Sequence, residues 1–213
     1  FKELNQKGYT VHLIDKDFER DSEENSKIFK YKYDLSNLEN LNELANKIKQ
    51  KSNKIDLLIN NAAYEVGSLI EEIPFDEFKN NINANFLAPV KLIKLFISEL
   101  EMSQGKILNI ISDAAFRGVP TRSSYCSSKA ALGSFTESIR LELKEKSIDV
   151  VYVIPPKLNT NFFNNIQYFG KLKKDKISYS DKRPFFDNNR FAKILLNKVD
   201  KNKLIITKFT IAK

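Results

Sequence analysis

Apolar and polar positions along the chain follow two alternating patterns, one with the two-residue period of a strand and one with the period of a helix. Short apolar runs predict strands at residues 9–14, 28–35, 55–61, 106–111, 150–155 and 203–209. Amphipathic stretches between them predict helices over about residues 36–51, 76–102, 124–146 and 187–198. This alternation predicts an α/β fold in which a parallel sheet is covered by helices on both faces.

Several predicted elements have recognisable ends. Gly8 follows a short helical stretch and is typical of the residue that closes a helix. Residues 36–39, Ser-Asn-Leu-Glu, form a capping-box sequence and predict that a helix begins there. The apolar face of that helix carries Leu38, Leu41, Leu44, Ala45 and Ile48. Pro89 lies inside the long helix predicted at residues 76–102 and indicates a local irregularity over residues 85–89.

The alternation fits a doubly wound, Rossmann-type sheet, but two parts of that fold are missing from these residues. The first strand of such a sheet is central, and the turn after it carries phosphate-binding glycines. Residues 1–6 resemble the tail of a helix, and no G-x-G-x-x-G-like sequence occurs in the chain. Since a sheet without its central strand exposes two buried edges, we expect about twenty further residues upstream.

Length and composition indicate a single domain of ordinary globular type. The chain has 213 residues, of which 42% are hydrophobic and 29% are charged, enough for one domain with its own core. No apolar run of about eighteen residues occurs, so we predict no membrane span. A single cysteine excludes an internal disulfide framework and is typical of a reducing compartment, so cytoplasmic localisation is the default expectation.

The net charge of +8 does not indicate a nucleic-acid site. A nucleic-acid footprint gathers lysines and arginines on one face. Here the lysines are spread along the whole chain, mostly on the polar faces of predicted helices, with one basic block at residues 171–176. We therefore predict no nucleic-acid partner.

Three residues at an informative spacing carry the candidate chemistry. Tyr125 and Lys129 are four residues apart on a predicted helix, so they share one face. Ser112 ends the apolar run at 106–111, thirteen residues before the tyrosine, and a strand-to-helix connection can bring it to that face. A hydroxyl, a phenol and an ammonium around one volume can move a proton on and off a carbonyl oxygen.

These residues belong to a set of motifs that resembles the short-chain dehydrogenase/reductase (SDR) family. Asn60-Asn61-Ala62-Ala63 resembles the family's Asn-Asn-Ala-Gly motif, and Asn85 falls where the family has a helix-kinking catalytic asparagine. Ser112, Tyr125 and Lys129 fill the Ser and Tyr-x-x-x-Lys positions, and residues 155–160 resemble the Pro-Gly-x-x-x-Thr segment that closes over the nicotinamide. The motifs occur in the family's order and cover essentially the whole chain.

The resemblance implies a role for each catalytic candidate. Tyr125 would be the general acid/base that interconverts an alcohol and a ketone or aldehyde, with Lys129 lowering its pKa and holding the nicotinamide ribose. Ser112 would hydrogen-bond the substrate oxygen, and Asn85 would anchor a water that relays protons from Lys129 to solvent. The hydride belongs to a nicotinamide cofactor, and no metal site is expected.

The cofactor would follow the carboxyl ends of the predicted strands. Asp15 ends the second family strand, where a carboxylate accepts hydrogen bonds from the ribose and repels a 2′-phosphate, so NAD is favoured. Lys16 beside it keeps NADP possible. By resemblance the other cofactor contacts are Asp34, Leu35, Asn60, Asn61, Ala62, Tyr125, Lys129, Pro155, Leu158 and Thr160. Two residues depart from the family pattern, Ala63 and Pro156, each standing where the family has glycine.

The segment at residues 161–186 lies where the family keeps its variable substrate lid. It contains the aromatic residues Phe162, Phe163, Tyr168, Phe169, Tyr179, Phe185 and Phe186. These predict an apolar or partly apolar alcohol or carbonyl substrate, because such a lid excludes water. They are equally consistent with aromatics that only anchor the lid to its domain.

Three further expectations complete the interpretation. The alternative to an enzyme is a regulatory or scaffold protein that binds the cofactor without turnover. The resemblance implies a homodimer or homotetramer that pairs through the helices near residues 85–102 and 124–146. His12 and Cys126 are interpreted as packed structural residues rather than as catalytic groups.

Overall fold

The computed structural model describes residues 1–175 and 184–200, so the strand predicted at 203–209 lies outside the described residues. In chain order the elements are α1 (Lys2–Gln6), β1 (Val11–Asp15), β2 (Ser22–Asn25), β3 (Ile28–Lys32), α2 (Leu41–Lys51), β4 (Leu57–Asn60), β5 (Val66–Gly67), α3 (Phe75–Ile82), a π-helical turn (Asn83–Leu87), α4 (Ala88–Ser103), β6 (Lys106–Ile110), a 3-10 turn (Asp113–Phe116), α5 (Ser123–Glu142), a second 3-10 turn (Leu143–Lys146), β7 (Asp149–Val153), β8 (Gln167–Tyr168), α6 (Lys171–Asp175) and α7 (Asn188–Asp200).

The strands of the described residues form two three-stranded sheets and one short pair. One sheet has the order β1-β3-β2, in which β1 and β3 are parallel and β2 is antiparallel to β3. The other has the order β4-β6-β7 and is parallel throughout, while β5 pairs with β8. In the second sheet, each later strand lies further from β4, and in the first sheet β1 is likewise at one edge. Doubly wound α/β folds place their ligand crevice outside the carboxyl ends of the parallel strands.

The parallel pairing was predicted, but strand β2 was not. All four of its residues are exposed and polar, so it has no apolar face for a periodicity to reveal. Its pairing comes from backbone hydrogen bonds to β3, whose Ile28 and Phe29 are buried. An edge strand of this kind is specified by its neighbour rather than by its own apolar pattern.

The core lies on both faces of the second sheet. Ile107 of β6 packs in a cluster with side chains of α2, α4 and α5, whereas Leu108, the next residue, packs with Phe191 and Leu195 of α7. Since successive strand residues point to opposite faces, β6 is buried on both sides. This explains why its sequence is a continuous apolar run rather than an alternating one.

The predicted capping box is wrong, because α2 begins at Leu41 rather than after residue 36. The Asp34 carboxylate instead accepts hydrogen bonds from the backbone N–H and hydroxyl of Ser36, at 2.9 and 2.8 Å. Asn37 then accepts one from the backbone N–H of Glu39, at 3.0 Å. These short side-chain turns compete with the helix for the same backbone groups, so they delay its start.

Other predicted features of the helices are confirmed. Gly8 follows α1 with φ +86°, a conformation that glycine adopts without strain. The irregularity predicted near Pro89 is the π-helical turn Asn83–Leu87, which joins α3 to α4. The predicted inner face of α2 is buried at Leu41, Leu44, Ala45 and Ile48. No described helix has an apolar stretch long enough to cross a membrane.

Candidate active site

A cavity of about 770 Å³ opens where the strands of both sheets end. Most of the predicted site residues line it, namely Asp15, Asp34, Leu35, Asn61, Ala62, Ser112, Tyr125, Lys129, Pro155, Leu158 and Thr160. These residues follow the carboxyl ends of β1, β3, β4, β6 and β7 or lie on α5. Two predicted residues, Asn60 and Asn85, are not among those that line it.

Tyr125 and Lys129 lie one helical turn apart near the beginning of α5, and both are buried. The Lys129 ammonium donates a hydrogen bond to the backbone carbonyl of Ile110, the last residue of β6, at 2.8 Å. It also lies 5.9 Å from the centre of the Tyr125 ring. The lysine thus connects the helix to the strand that leads into Ser112.

Ser112 is held at the cavity wall by the turn that follows β6. Its hydroxyl oxygen accepts a hydrogen bond from the backbone N–H of Ala114, at 3.2 Å, and so caps the 3-10 turn. The Ser112 hydroxyl itself donates to the carboxylate of Asp113 at 3.2 Å. The structure therefore brings Ser112, Tyr125 and Lys129 to one wall of one cavity.

The acid–base properties of this wall differ from the prediction. Burial raises the pKa of Tyr125 to about 12, opposed by the hydrogen bond from Ser112 and by the positive charge of Arg122. Burial also lowers the pKa of Lys129 to about 8. Loss of solvation is the largest influence on the Tyr125 pKa, so the predicted lowering by Lys129 does not appear in this structure.

Asn85 clamps the loop after β4 instead of lining the cavity. Its side-chain amide N–H groups donate to the carbonyl of Tyr64 at 3.0 Å and to Ser128 of α5 at 3.1 Å, while its side-chain oxygen accepts the N–H of Tyr64 at 3.1 Å. Asn81 donates to the same Tyr64 carbonyl, at 2.9 Å. The predicted water-anchoring role stays a prediction, and the observed role is to fix the cavity floor.

Asn60 belongs to a buried network and is not among the residues that line the cavity, and its predicted cofactor contact stays a prediction. Its amide donates to the side-chain oxygen of Asn109 at 2.7 Å, and Asn109 donates to Thr136 of α5 at 2.8 Å. All three side chains are buried. The side-chain amide of Asn60 is bonded within this network, whereas the following residue, Asn61, lines the cavity.

The far end of the cavity carries acidic groups. Asp15 is the last residue of β1, and its carboxylate accepts a hydrogen bond from the backbone N–H of Asp17, at 3.0 Å. Asp34 and Leu35 line the cavity beyond β3. The ammonium of Lys16 lies 5.7 Å from the centre of the Tyr64 ring on the opposite wall. Both a carboxylate and an ammonium therefore border this end.

Residues 155–160 form a strip along the cavity that is held by a backbone bridge to Phe186. Leu158 and Phe186 form a parallel β-bridge, and the Phe186 N–H donates to the carbonyl of Lys157 at 2.7 Å. The N–H of Asn159 donates back to the Phe186 carbonyl at 3.3 Å. Pro156, which has no N–H, lies outside this exchange and is accommodated.

Aromatic rings cover the Tyr125 side of the cavity. The centre of the Phe162 ring lies 5.7 Å from that of Tyr125, and Phe163 stacks edge-on against Phe162 at 5.5 Å. Phe185 continues the row, with the Lys157 ammonium 4.2 Å from its ring centre. Of the other lid aromatics, Tyr179 lies outside the described residues.

A second, smaller cavity of about 90 Å³ also borders Tyr125 and contains a charged pair that no sequence pattern revealed. Its walls include Glu65 and Arg122, which form an ion pair with both side chains buried. The two residues are far apart in the chain and belong to no motif. Only the fold brings them together, so no spacing could reveal the pair.

Comparison with known proteins places these observations in a family. The short chain dehydrogenase family model matches residues 1–169. The chain is 33% identical over 144 residues to the 3-oxoacyl-[acyl-carrier-protein] reductase of Buchnera aphidicola, covering 66% of this chain and 59% of that protein. It is 28% identical over 179 residues to the 3-ketodihydrosphingosine reductase of Bacteroides thetaiotaomicron, covering 84% of this chain and 65% of that protein.

A solved structure supports the same assignment. The chain resembles a short chain dehydrogenase/reductase family oxidoreductase from Brucella ovis, in complex with a partially ordered NAD, with a TM-score of 0.66 and 26% identity. The match covers 76% of this chain and 78% of that one. The chain spans between half and two thirds of the length of the curated relatives that head the comparison. The predicted doubly wound α/β fold is confirmed, and the chain belongs to the short-chain dehydrogenase family of oxidoreductases.

Proposed function

We propose that this protein is a nicotinamide-dependent oxidoreductase that interconverts an alcohol and a ketone or aldehyde, with Tyr125 as the general acid/base. The observation that carries the proposal is the convergence of Ser112 with the buried Tyr125 and Lys129 on one cavity wall. The two relatives named above support the reaction class, since both are named as reductases of a keto or oxo group.

The cavity fits the two ends of a dinucleotide. Its volume of about 770 Å³ is within the range of sites for small molecules and cofactors. Asp15 and Asp34 present carboxylates that can accept ribose hydroxyls at one end. Tyr125, Lys129 and the strip at residues 155–160 would border the nicotinamide at the other end. A bound nicotinamide would supply the hydride, and the protein residues supply position and proton.

The site residues divide the proton chemistry between them. With its pKa raised to about 12, Tyr125 is a neutral phenol at physiological pH and can donate its proton to a developing alkoxide. Ser112, which lines the same cavity as Tyr125, would stabilise the same oxygen. Lys129 retains its charge at neutral pH and holds the end of β6 against the helix. The arrangement favours protonation of a carbonyl oxygen next to Tyr125.

We infer that NAD(H) is preferred over NADP(H). Asp15 is exposed at the cavity edge, where its carboxylate would repel a 2′-phosphate. Lys16, next to Asp15, could attract a 2′-phosphate. Its ammonium is directed to the Tyr64 ring, which weakens that attraction. The ratio of kcat/KM for NADH and NADPH tests the inference, and a ratio in favour of NADPH would contradict it.

The substrate is proposed to be apolar on the side that faces the lid. Phe162 and Phe163 both line the cavity, and Phe162 contacts Tyr125 directly. Burying a phenylalanine side chain is worth about 1.5–3 kcal/mol, so Phe162→Ala should raise KM for apolar ketones about tenfold or more. Phe75→Ala is the matched control, since Phe75 is 78% exposed and outside the cavity. Equal effects on small polar carbonyls would contradict the apolar assignment.

A panel of ketones and aldehydes of graded polarity tests the proposed reaction. The oxidation of NADH and NADPH is followed spectroscopically with each compound, and turnover with at least one apolar carbonyl is expected. The alternative, a regulatory protein that binds the cofactor without turnover, predicts cofactor binding and no turnover across the panel. The intact set of Ser112, Tyr125 and Lys129 argues against that alternative.

A further inference from the structure

The ion pair between Glu65 and Arg122 lines a small cavity that also borders the proposed acid/base. Glu65 is 4% exposed and Arg122 is 8% exposed, measured on their side chains. Both line the smaller cavity, whose walls also include Ser112 and Tyr125. Buried charges are costly to desolvate, and they are kept where their positions matter or where both partners are satisfied. Because both side chains are buried, exposure to solvent does not account for their charges, and a role in holding the structure does.

Arg122 is attached to the turn of helix that carries Tyr125. It is the N-cap residue of α5, and its carbonyl accepts the N–H of Cys126, at 2.9 Å. Its own N–H donates to the carbonyl of Val119 at 3.1 Å. Tyr125 is three residues further on, in the first turn. A displacement of Arg122 would therefore displace the phenol.

Glu65 is attached to a different part of the cavity. The residue before it, Tyr64, is clamped through its backbone by Asn81 and Asn85. The carbonyl of Glu65 accepts the N–H of Gln167, where strands β5 and β8 begin to pair. The backbone that carries the Glu65 carboxylate is thus held both by side chains of the α3 side and by the segment after residue 160.

A backbone contact runs beside the ion pair and joins the same two segments. The N–H of Ser68 donates to the carbonyl of Thr121, at 2.8 Å. Thr121 has φ +68°, a left-handed conformation that costs free energy for a β-branched residue. A strained residue persists only where its surroundings hold it. The ion pair and this hydrogen bond together hold the turn from which α5 begins.

We propose that Glu65 and Arg122 are positioning residues that fix the first turn of α5, and with it the Tyr125 phenol, against the loop after β4. This role rests on the proposed function, because it concerns the placement of its acid/base. The Arg122 charge also reaches the phenol. Burial raises the pKa of Tyr125, as do Asp113 and Cys126, while the Ser112 hydrogen bond and the Arg122 charge lower it.

Steady-state kinetics of the purified protein with a carbonyl substrate found in the panel tests the role. Glu65→Gln and Arg122→Gln should each lower kcat about 10- to 100-fold, the cost of a misplacement on the order of 1 Å. The dissociation constant for NADH, measured by fluorescence titration, should stay unchanged. Arg122→Lys should recover part of the lost kcat, because it keeps the charge while losing the planar fork.

Two variants separate positioning from folding. The double variant Glu65→Leu with Arg122→Met replaces the pair by apolar side chains, an exchange that buried ion pairs tolerate in stability. It should melt near the wild-type temperature and still have the low kcat. Glu101→Gln is the control for loss of an ion pair, since its 2.9 Å pair with Lys146 is exposed.

The possible results are distinct. A double variant with the kcat of the wild type would overturn the positioning role. So would a loss of kcat that is fully explained by a smaller fraction of folded protein. Absence of turnover by the wild-type protein on every carbonyl would overturn the proposed function, and the positioning role with it. Wild-type turnover with unchanged kcat in Glu65→Gln and Arg122→Gln would overturn the positioning role alone.

Discussion

At the scale of single residues, burial controls the two titratable groups of the site. It raises the pKa of Tyr125 to about 12 and lowers that of Lys129 to about 8. The tyrosine is thereby kept as a neutral phenol at neutral pH. The lysine is kept charged there at a cost to folding, because its ammonium is removed from water and held mainly by one backbone carbonyl.

The lowered pKa of Lys129 makes folding stability depend on pH. Its folded pKa, about 8, lies below the ordinary value of 10.5. Between these two values the unfolded chain binds the proton more strongly than the folded protein does. The contribution of Lys129 to stability therefore rises with pH across this window and is least favourable below pH 8.

Lys129→Met should accordingly stabilise the protein at pH 7 by about 2 kcal/mol while abolishing turnover. The gain should shrink as the pH is raised from 8 to 10.5, because the wild-type lysine then becomes neutral. Urea denaturation at pH 7 and pH 10 measures both effects. Lys144→Met, at an exposed position, is the control. A less stable Lys129→Met variant at pH 7, or a gain independent of pH, would contradict the account.

At the scale of elements, a buried polar network joins β4, β6 and α5 below the cavity. Asn60 donates to Asn109, Asn109 donates to Thr136, and Thr136 donates to the carbonyl of Leu132 at 2.5 Å. Asn109 and Thr136 are fully buried. Because each member satisfies the next, the network fixes the height at which α5 crosses the strands. It thus sets the relation between Tyr125 on α5 and Ser112 after β6.

Asn109→Ala should be strongly destabilising, because it leaves the polar groups of Asn60 and Thr136 unpaired in the core. The expected loss is about 2–4 kcal/mol in the free energy of unfolding. Asn46→Ala, at an exposed position of α2, should change stability by less than about 0.5 kcal/mol. Urea denaturation compares the two variants. A similar, small loss in the free energy of unfolding of both variants would contradict the stabilising role of the network.

The elements that sequence could predict are those with an apolar period. The strands at β1, β3, β4, β6 and β7 and the long helices all follow from burial of one or two faces. The start of α2 could not be predicted correctly, because Asp34 and Asn37 bond the backbone that a capping box would use. Strand β2 has no apolar face at all.

The candidate site was predictable to the extent that it is local in the chain. Tyr125 and Lys129 share a helix, so their spacing determines that they are neighbours. Whether Asn60 faces the cavity or the sheet depends on Asn109, and the pairing of Glu65 with Arg122 depends on the fold. The pKa of Tyr125 was mispredicted for the same reason, since it depends on burial rather than on sequence neighbours.

At the scale of the whole molecule, two sheets wind outward from β1 and β4, and the strand ends gather their polar residues around one cavity. Asp15 and Asp34 border one end, and the residues around Tyr125 border the other. The lid segment after residue 160 adds Phe162 and Phe163. One end of the cavity thus carries two carboxylates, and the other end, at Tyr125, is covered by aromatic rings.

The central claim is that Tyr125 transfers the proton while a bound nicotinamide supplies the hydride. The most direct measurement is a single-turnover experiment with excess protein, reduced cofactor and an active carbonyl substrate, which compares the wild type with Tyr125→Phe. Tyr31→Phe is the matched control, because Tyr31 is a buried tyrosine outside the cavity.

The account predicts that Tyr125→Phe binds the cofactor as the wild type does but reduces the carbonyl at least about 100-fold more slowly. Tyr31→Phe should reduce it at the wild-type rate. A Tyr125→Phe variant that consumes the cofactor and forms the alcohol at the wild-type rate would contradict the assignment of Tyr125 as the acid/base.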